Sequence, residues 1–164
     1  MAADFKYLVV GRGMMGAAAA RHLAKQADGV GVIGPDEPLD RKSHDGVFAS
    51  HYDEGRITRT IDPDADWALL ANRSIARYDE IARESGIDFY QPAGCLIVGA
   101  KRGGQGDFIE RTTTAAKALG VEAGVLDDHA LSARFPFFSF PTGSEGVHET
   151  TGAASSPIRR ADIR

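Results

Sequence analysis

A short apolar strand that runs straight into three spaced glycines and then into a helix leaves few folds open to a chain. Phe5 to Val10 is apolar and rich in aromatic and β-branched residues, which is the pattern of a buried strand. Gly11-Arg12-Gly13-Met14-Met15-Gly16 follows at once. Ala17 to Gln26 then continue as strong helix formers, with Ala20, Leu23, Ala24 and Ala27 on one face. Asp28-Gly29 ends this helix as a turn, and Val30 to Ile33 reads as a second short strand. Strand, glycine turn, helix and strand make a βαβ unit whose parallel strands are joined by a right-handed crossover. In such a unit each glycine has a physical task. Gly11 makes the tight turn, Gly13 lets the backbone approach a pyrophosphate, and Gly16 lets the helix lie against the strand. The free N–H groups at the helix start then hold the diphosphate at the positive end of the helix dipole.

One part of a dinucleotide site is missing. The end of the second strand usually carries Asp or Glu to bond an adenosine ribose hydroxyl, about 20 residues after the glycines. Here that place is Gly34, followed by Pro35. Asp36 and Glu37 lie just beyond, and either is a candidate to reach back around Pro35, with Asp36 the nearer. No arginine follows the strand directly, so the 2′-phosphate of NADP is not indicated.

The rest of the chain alternates elements with breaks. Leu39 to Asp64 shows no periodicity and carries Ser43, His44, Ser50, His51, Arg56 and Arg59; long structureless loops in compact domains are usually functional or disordered. Asp64 or Asp66 is suited to cap one helix running to Ser85 and closed by Gly86, with Trp67, Leu70, Ala71, Ser74, Tyr78 and Ile81 at helical spacing as residues that pack on the core. Phe89-Tyr90 and Cys95 to Val98 read as strands, Asp107 to Leu119 as a helix, Val121 to Leu126 as a strand, and Asp127 or Asp128 as the cap of a short helix through Arg134. Gly146 to Glu149 is strand-like. Ser156-Pro157 opens a helix only two turns before Arg164, which gives the expectation of a chain cut within an element.

Composition narrows the class. The chain is 43% apolar and 26% charged, enough to bury a core. Nineteen Lys and Arg against 23 Asp and Glu give a net charge of −4 with no basic block, so neither nucleic acid nor a membrane surface is an expected partner. A single cysteine forms no internal disulfide, no apolar run approaches a membrane span, and no leader pattern precedes Tyr7, so a cytoplasmic protein is expected. His22, His44, His129 and His148 read as structural, the last in a loop, and no metal constellation is formed. Cys95 reads as an inert thiol within a strand.

With these segments in place the chain resembles the flavoprotein amine oxidases of the D-amino-acid oxidase superfamily, in particular the monomeric sarcosine oxidase and N-methyl-amino-acid oxidase branch. The resemblance rests on Tyr7 to Gly16, on Ala49-Ser50-His51-Tyr52-Asp53-Glu54-Gly55-Arg56-Ile57-Thr58-Arg59, on the helix from Trp67 to Arg83, and on Ala93 to Gly99. It implies an α/β protein with a Rossmann-like FAD-binding domain and the beginning of a mixed α+β substrate domain, truncated. The implied parts are residues 1–85 (FAD domain), 86–150 (start of the substrate domain) and 151–164 (return segment). The cofactor it implies is FAD, held by Gly11, Arg12, Gly13, Met14, Met15, Gly16, Gly34, Pro35, Asp36, Ser50, His51, Arg56 and Ile57. Arg56 is expected close to the flavin ring, where a cation stabilises the negative charge of the reduced form. Arg59 resembles an arginine that meets a substrate carboxylate, which suits a bidentate guanidinium. The implied activity is oxidation of the carbon–nitrogen bond of an amino-acid-type or N-methyl amine with oxygen as acceptor. A nicotinamide dehydrogenase and a non-catalytic FAD-binding remnant are the alternatives, and oligomeric state is left open.

Overall fold

The protein is described by a computed structural model covering residues 4–35, 40, 42–46, 56–151 and 153–155. The chain divides into two compact units, Met1–Asp53 and Glu54–Arg164.

In the first unit, β1 (Tyr7–Val10) and β2 (Val30–Ile33) pair in parallel with Tyr7 opposite Val30 and Val10 opposite Ile33, and α1 (Met14–Ala24) crosses between them. This is the expected βαβ unit. The helix begins at Met14 rather than Ala17, because Gly13 serves as its N-cap and puts Gly16 inside the first turn. Pleating sends Val9 and Val32 to the face that carries α1, and Leu8, Val10 and Ile33 to the other. That second face is open: Leu8 is 55%, Val10 81% and Ile33 55% exposed. A parallel sheet normally buries both faces.

The second unit holds the buried core. Its elements in order are β3 (Ile57–Thr58), α2 (Ala65–Ile75), α3 (Tyr78–Ser85), β4 (Tyr90–Pro92), β5 (Cys95–Ala100), α4 (Phe108–Ala118), β6 (Gly124–Leu126), α5 (Asp128–Arg134), β7 (Ser144–Glu149) and β8 (Ala153–Ser155). β7 is the middle strand of an antiparallel sheet, with β5 on one side and β6 on the other. The two sheet faces take different helices. Ile109 and Ala116 of α4 join Val147 and Ile61 in the core, while Leu131 of α5 lies over Gly146 on the opposite face. Covering both faces is what makes β5 read as a nearly continuous apolar run rather than an alternating one. A second antiparallel sheet has β8 between β3 and β4.

Three expectations from sequence are corrected here. The helix from Asp64 to Ser85 is two helices. Arg77 N–H bonds the Ser74 carbonyl rather than the residue one further back, so the chain tightens at Ala76 and Arg77 between the two helices. Tyr78 then starts α3 and packs edge-on against Phe89 and Tyr90, with ring centroids 5.4 and 5.1 Å away. Second, Trp67 and Leu70 do not pack on the core: they are 69% and 57% exposed, and the inward positions are Ala68 and Asn72, whose amide bonds the Thr60 carbonyl. Third, His148 belongs to β7, not to a loop. The segment read as loop from Leu39 to Asp64 contains β3, and the expected helix at Ser156-Pro157 falls outside the described residues.

Two side-chain contacts make testable contributions. Asp64 caps α2 by accepting from the N–H groups of Asp66 and Trp67, both at 3.0 Å. Asp64→Ala should lower stability by about 1 kcal/mol. Urea unfolding followed by far-UV circular dichroism reads this, and an unchanged midpoint would show that the cap contributes nothing. Glu145 on β7 accepts from Arg102 Nε and Nη2, both at 2.8 Å, and from the Arg102 backbone N–H at 3.1 Å. The guanidinium hydrogen bond holds the Glu145 carboxyl below its ordinary value, outweighing partial burial. A carboxyl depressed in the folded state adds stability above its unfolded pKa, and that stability is lost as pH falls through the folded pKa. The stability gap between wild type and Glu145→Gln should therefore narrow on acidification from neutral pH. Denaturation midpoints across that range measure it.

Candidate functional site: the glycine turn and the Arg56–Arg59 strand

The geometry of the turn follows from main-chain contacts. Gly11 has φ of 115°, a conformation that side chains other than hydrogen rarely permit. Its N–H bonds the Ile33 carbonyl at 2.8 Å, which ties the turn to the end of β2. Gly13 is extended at the N-cap of α1, provides no side-chain cap, and offers its carbonyl to Ala17 N–H at 2.9 Å. The first turn of α1 contains no acidic residue. A Cβ on Gly16 would stand 1.9 Å from the Gly11 carbonyl oxygen and 3.6 Å from Val9 Cγ1, so the helix reaches the strand only because residue 16 has none. The helix start thus presents its positive end without a carboxylate or capping hydroxyl of its own, and an anion fits there.

Gly34 closes the same corner. A Cβ on it would lie 3.0 Å from the Arg12 backbone N, 3.2 Å from Arg12 Cγ and 3.3 Å from Gly11 Cα. Gly11, Arg12, Gly34 and Pro35 are therefore gathered at the carboxyl end of the sheet, with Met14, Met15 and Gly16 on the first turn of α1. Met14 and Met15 are exposed. Asp36, Ser50 and His51 lie outside the described residues.

The remaining expected site residues sit in the second unit. Arg56 is half-buried immediately before β3, and Ile57 is exposed on that strand opposite Ala154. Arg59 follows β3 and already holds a carboxylate: Nε donates to Asp62 Oδ2 at 3.1 Å, and Nη2 donates to the same oxygen. The other oxygen of Asp62 accepts from Asp64 N–H at 2.9 Å, and Asp64 in turn caps α2. Sequence reasoning passed over Asp62; the signal was its spacing three residues after Arg59. Cys95 is half-buried, and burial together with the charge of Glu149 pushes its thiol up, against a smaller opposing effect of Arg59. It stays protonated, in keeping with an inert thiol. Burial is the main cause that lowers the pKa of His148, which packs against the Phe135 ring at 5.4 Å. Among the described residues no group of His, Cys, Asp or Glu is placed to hold a metal ion, and no helix is long and apolar enough to cross a membrane.

Residues 6–160 match the family model described as DAO, FAD dependent oxidoreductase. The chain belongs to this family. The family is FAD-dependent, so FAD rather than a nicotinamide is the cofactor, and the nicotinamide alternative is set aside. The chain is 29% identical over 153 residues to monomeric sarcosine oxidase from Bacillus sp. (strain B-0618), covering 91% of this chain and 36% of that protein. It is 28% identical over 152 residues to monomeric sarcosine oxidase from Arthrobacter sp. (strain TE1826), covering 89% and 36%. Among solved structures, L-proline dehydrogenase from P. horikoshii superposes with a TM-score of 0.68 at 17% identity, covering 94% of this chain and 38% of that one. The chain thus spans about a third of the length of the relatives it matches, and the fold is the α/β, Rossmann-like start of the family's FAD-binding domain.

The turn geometry predicts the effect of one added methyl group. Gly16→Ala places a carbon against the Gly11 carbonyl, so α1 must move off β1 and the turn opens. FAD affinity should fall at least tenfold in a chain that keeps its far-UV circular dichroism spectrum. Flavin fluorescence titration measures it, and wild-type affinity would show that FAD is held elsewhere.

Proposed function

We propose that this chain is the N-terminal portion of an FAD-dependent oxidase that oxidises the carbon–nitrogen bond of an amino-acid-type or N-methyl amine, with oxygen as final acceptor. The carrying observation is the similarity to monomeric sarcosine oxidases along nearly the whole chain. In this reading residues 1–85 belong to the FAD domain, 86–150 begin the substrate domain, and 151–164 return toward the FAD domain. The protein works in the cytoplasm on a small amine or amino acid.

FAD supplies a two-electron acceptor when bound. The chain's own residues do the rest of what falls to this portion. Gly11 to Gly16 hold the diphosphate, with Gly34, Pro35 and Asp36 toward the adenosine and Ser50, His51, Arg56 and Ile57 along the flavin. Arg56 supplies a fixed cation near the ring. Arg59 presents its remaining N–H groups to a substrate carboxylate while Asp62 keeps the guanidinium plane fixed. The reading is tested by anaerobic addition of sarcosine or a primary amino acid to the complete enzyme that contains this chain. Bleaching of the flavin absorbance by such amines, and not by alcohols, is expected; bleaching by no amine would overturn the oxidase assignment.

Arg56 carries a quantitative test of the same reading. Arg56→Met keeps the apolar stem and removes the charge. Each tenfold loss in relative stability of the reduced flavin lowers a two-electron potential by about 30 mV. The potential should fall by tens of millivolts and amine-driven reduction should slow, while FAD affinity changes less. Spectroelectrochemical titration decides it; an unchanged potential with unchanged turnover would place Arg56 away from the flavin.

A further inference from the structure

The acid that ordinarily ends the second strand of a dinucleotide-binding unit is absent here, and the space it would enter is taken. Residue 34 is glycine, and the backbone N and Cγ of Arg12 lie 3.0 and 3.2 Å from where its Cβ would be. The stem of Arg12 therefore crosses the carboxyl end of β2, and the side chain is exposed. With a diphosphate over Gly11 to Gly16, the adenosine runs toward that strand end, because the ribose of such a ligand meets the residue at the close of the second strand. A side chain laid over the strand end is thus laid along the adenosine.

We propose that Arg12 holds the adenosine ribose of FAD, in place of the missing acid, by donating from its guanidinium to the ribose hydroxyl oxygens. The hydrogen-bond direction is inverted relative to the usual arrangement. A carboxylate accepts from the ribose hydroxyl, whereas a guanidinium has donors only; a ribose hydroxyl serves either, since it both donates and accepts. Gly34 and Arg12 form a matched pair. A carboxylate side chain at 34 would displace the stem of Arg12 and press on Gly11 Cα, 3.3 Å from the Cβ position. Restoring the usual acid should therefore weaken binding rather than improve it. The assignment also shifts the ribose contact away from Asp36 and Glu37.

The inference rests on FAD being the dinucleotide of this turn, and the test separates the two. FAD, ADP and 2′-deoxy-ADP are titrated by isothermal calorimetry onto flavin-free wild type, Arg12→Met, Arg12→Lys and Gly34→Asp. Arg12→Met keeps the stem over Gly34, and circular dichroism checks the fold of each variant. Wild type should prefer ADP over 2′-deoxy-ADP by about tenfold, the loss expected when a charge-assisted hydrogen bond is removed. Arg12→Met should bind FAD about tenfold more weakly and bind the two nucleotides alike, Arg12→Lys should recover part of the preference, and Gly34→Asp should bind FAD more weakly than wild type. If wild type binds FAD and Arg12→Met keeps the preference for ADP, the ribose is held elsewhere and the assignment of Arg12 is overturned while the FAD site stands. Tighter binding by Gly34→Asp would also overturn it. If wild type takes up neither FAD nor ADP, the dinucleotide site itself is refuted, and Arg12 with it.

Discussion

The first unit of this chain depends on one backbone approach, that of α1 to the end of β1 at Gly16 and Gly11. With a hydrogen in place of a side chain at residue 16, the Gly11 carbonyl fits where a Cβ would overlap it at 1.9 Å. The Gly11 N–H to Ile33 bond fixes the same turn to β2. The corner is thus set by main-chain atoms drawn from a strand, a helix and a second strand, and none of them can rotate away as a side chain would. The consequence is electrostatic. The helix begins with a glycine N-cap and no acid, so its leading N–H groups keep their hydrogen-bonding capacity and their share of the helix dipole for a ligand. A Ser or Asp cap in place of Gly13 would stabilise α1 by only about 0.3 kcal/mol, so leaving the helix start without a side-chain cap costs little.

The second unit distributes its stability differently. Its core runs through Ile61, Ile109, Ala116 and Val147, and the helices on the two faces of the β5-β7-β6 sheet leave β7 almost wholly buried. Ile61 lies two residues after Arg59, so the segment around β3 is anchored from one side by a fully buried side chain. From the other side β3 is held by its pairing with β8. Main chain held at both ends in this way leaves Arg56 and Arg59 fewer backbone conformations than a free loop would.

The legible parts of the structure were those whose cause is local. The βαβ unit follows from an apolar run, three glycines and an alanine-rich helix, all within one stretch, and it stands as read. The cap of α2 by Asp64 and the end of α3 at Gly86, which has φ of 70°, are equally local. What was not legible depends on partners distant in sequence or on competing hydrogen bonds. β3 is two residues long and exists because β8, beyond residue 150, lies beside it. The junction between α2 and α3 is a tightened turn in which Arg77 N–H bonds the Ser74 carbonyl, which a propensity pattern does not encode. Trp67 and Leu70 satisfied the helical period, yet the phase of α2 is set by the Asp64 cap and the Asn72 to Thr60 bond, which turn Ala68 inward instead. In the site, the glycine spacing was readable, but the contact of Arg12 with Gly34 was not, because a residue within the turn after β1 and the residue after β2 meet only once the crossover has formed.

The Arg59–Asp62 pair bears on how the proposed substrate carboxylate would be held. The Arg59 side chain is 44% exposed and that of Asp62 is 14% exposed, so the pair is screened on its arginine side and its direct contribution to stability is in the surface range of about 0–1 kcal/mol. Its larger effect is on order. A free arginine side chain carries about 2 kcal/mol of rotamer entropy. Asp62 takes both Nε and Nη2 on one oxygen while Asp64 N–H fixes its other oxygen, and Asp64 in turn is anchored to the first turn of α2. The guanidinium plane is therefore held by a relay that ends in helix backbone. A carboxylate arriving at the remaining N–H groups would meet a cation already oriented, though partly neutralised. Orientation favours the incoming group through entropy, and partial neutralisation reduces its Coulomb attraction. At this exposure the attraction is weak in either case, about 1 kcal/mol at 4 Å in a water-like dielectric, so the entropic gain is the larger of the two effects. Asp62 is thus better understood as the group that aims Arg59 than as a competitor for it.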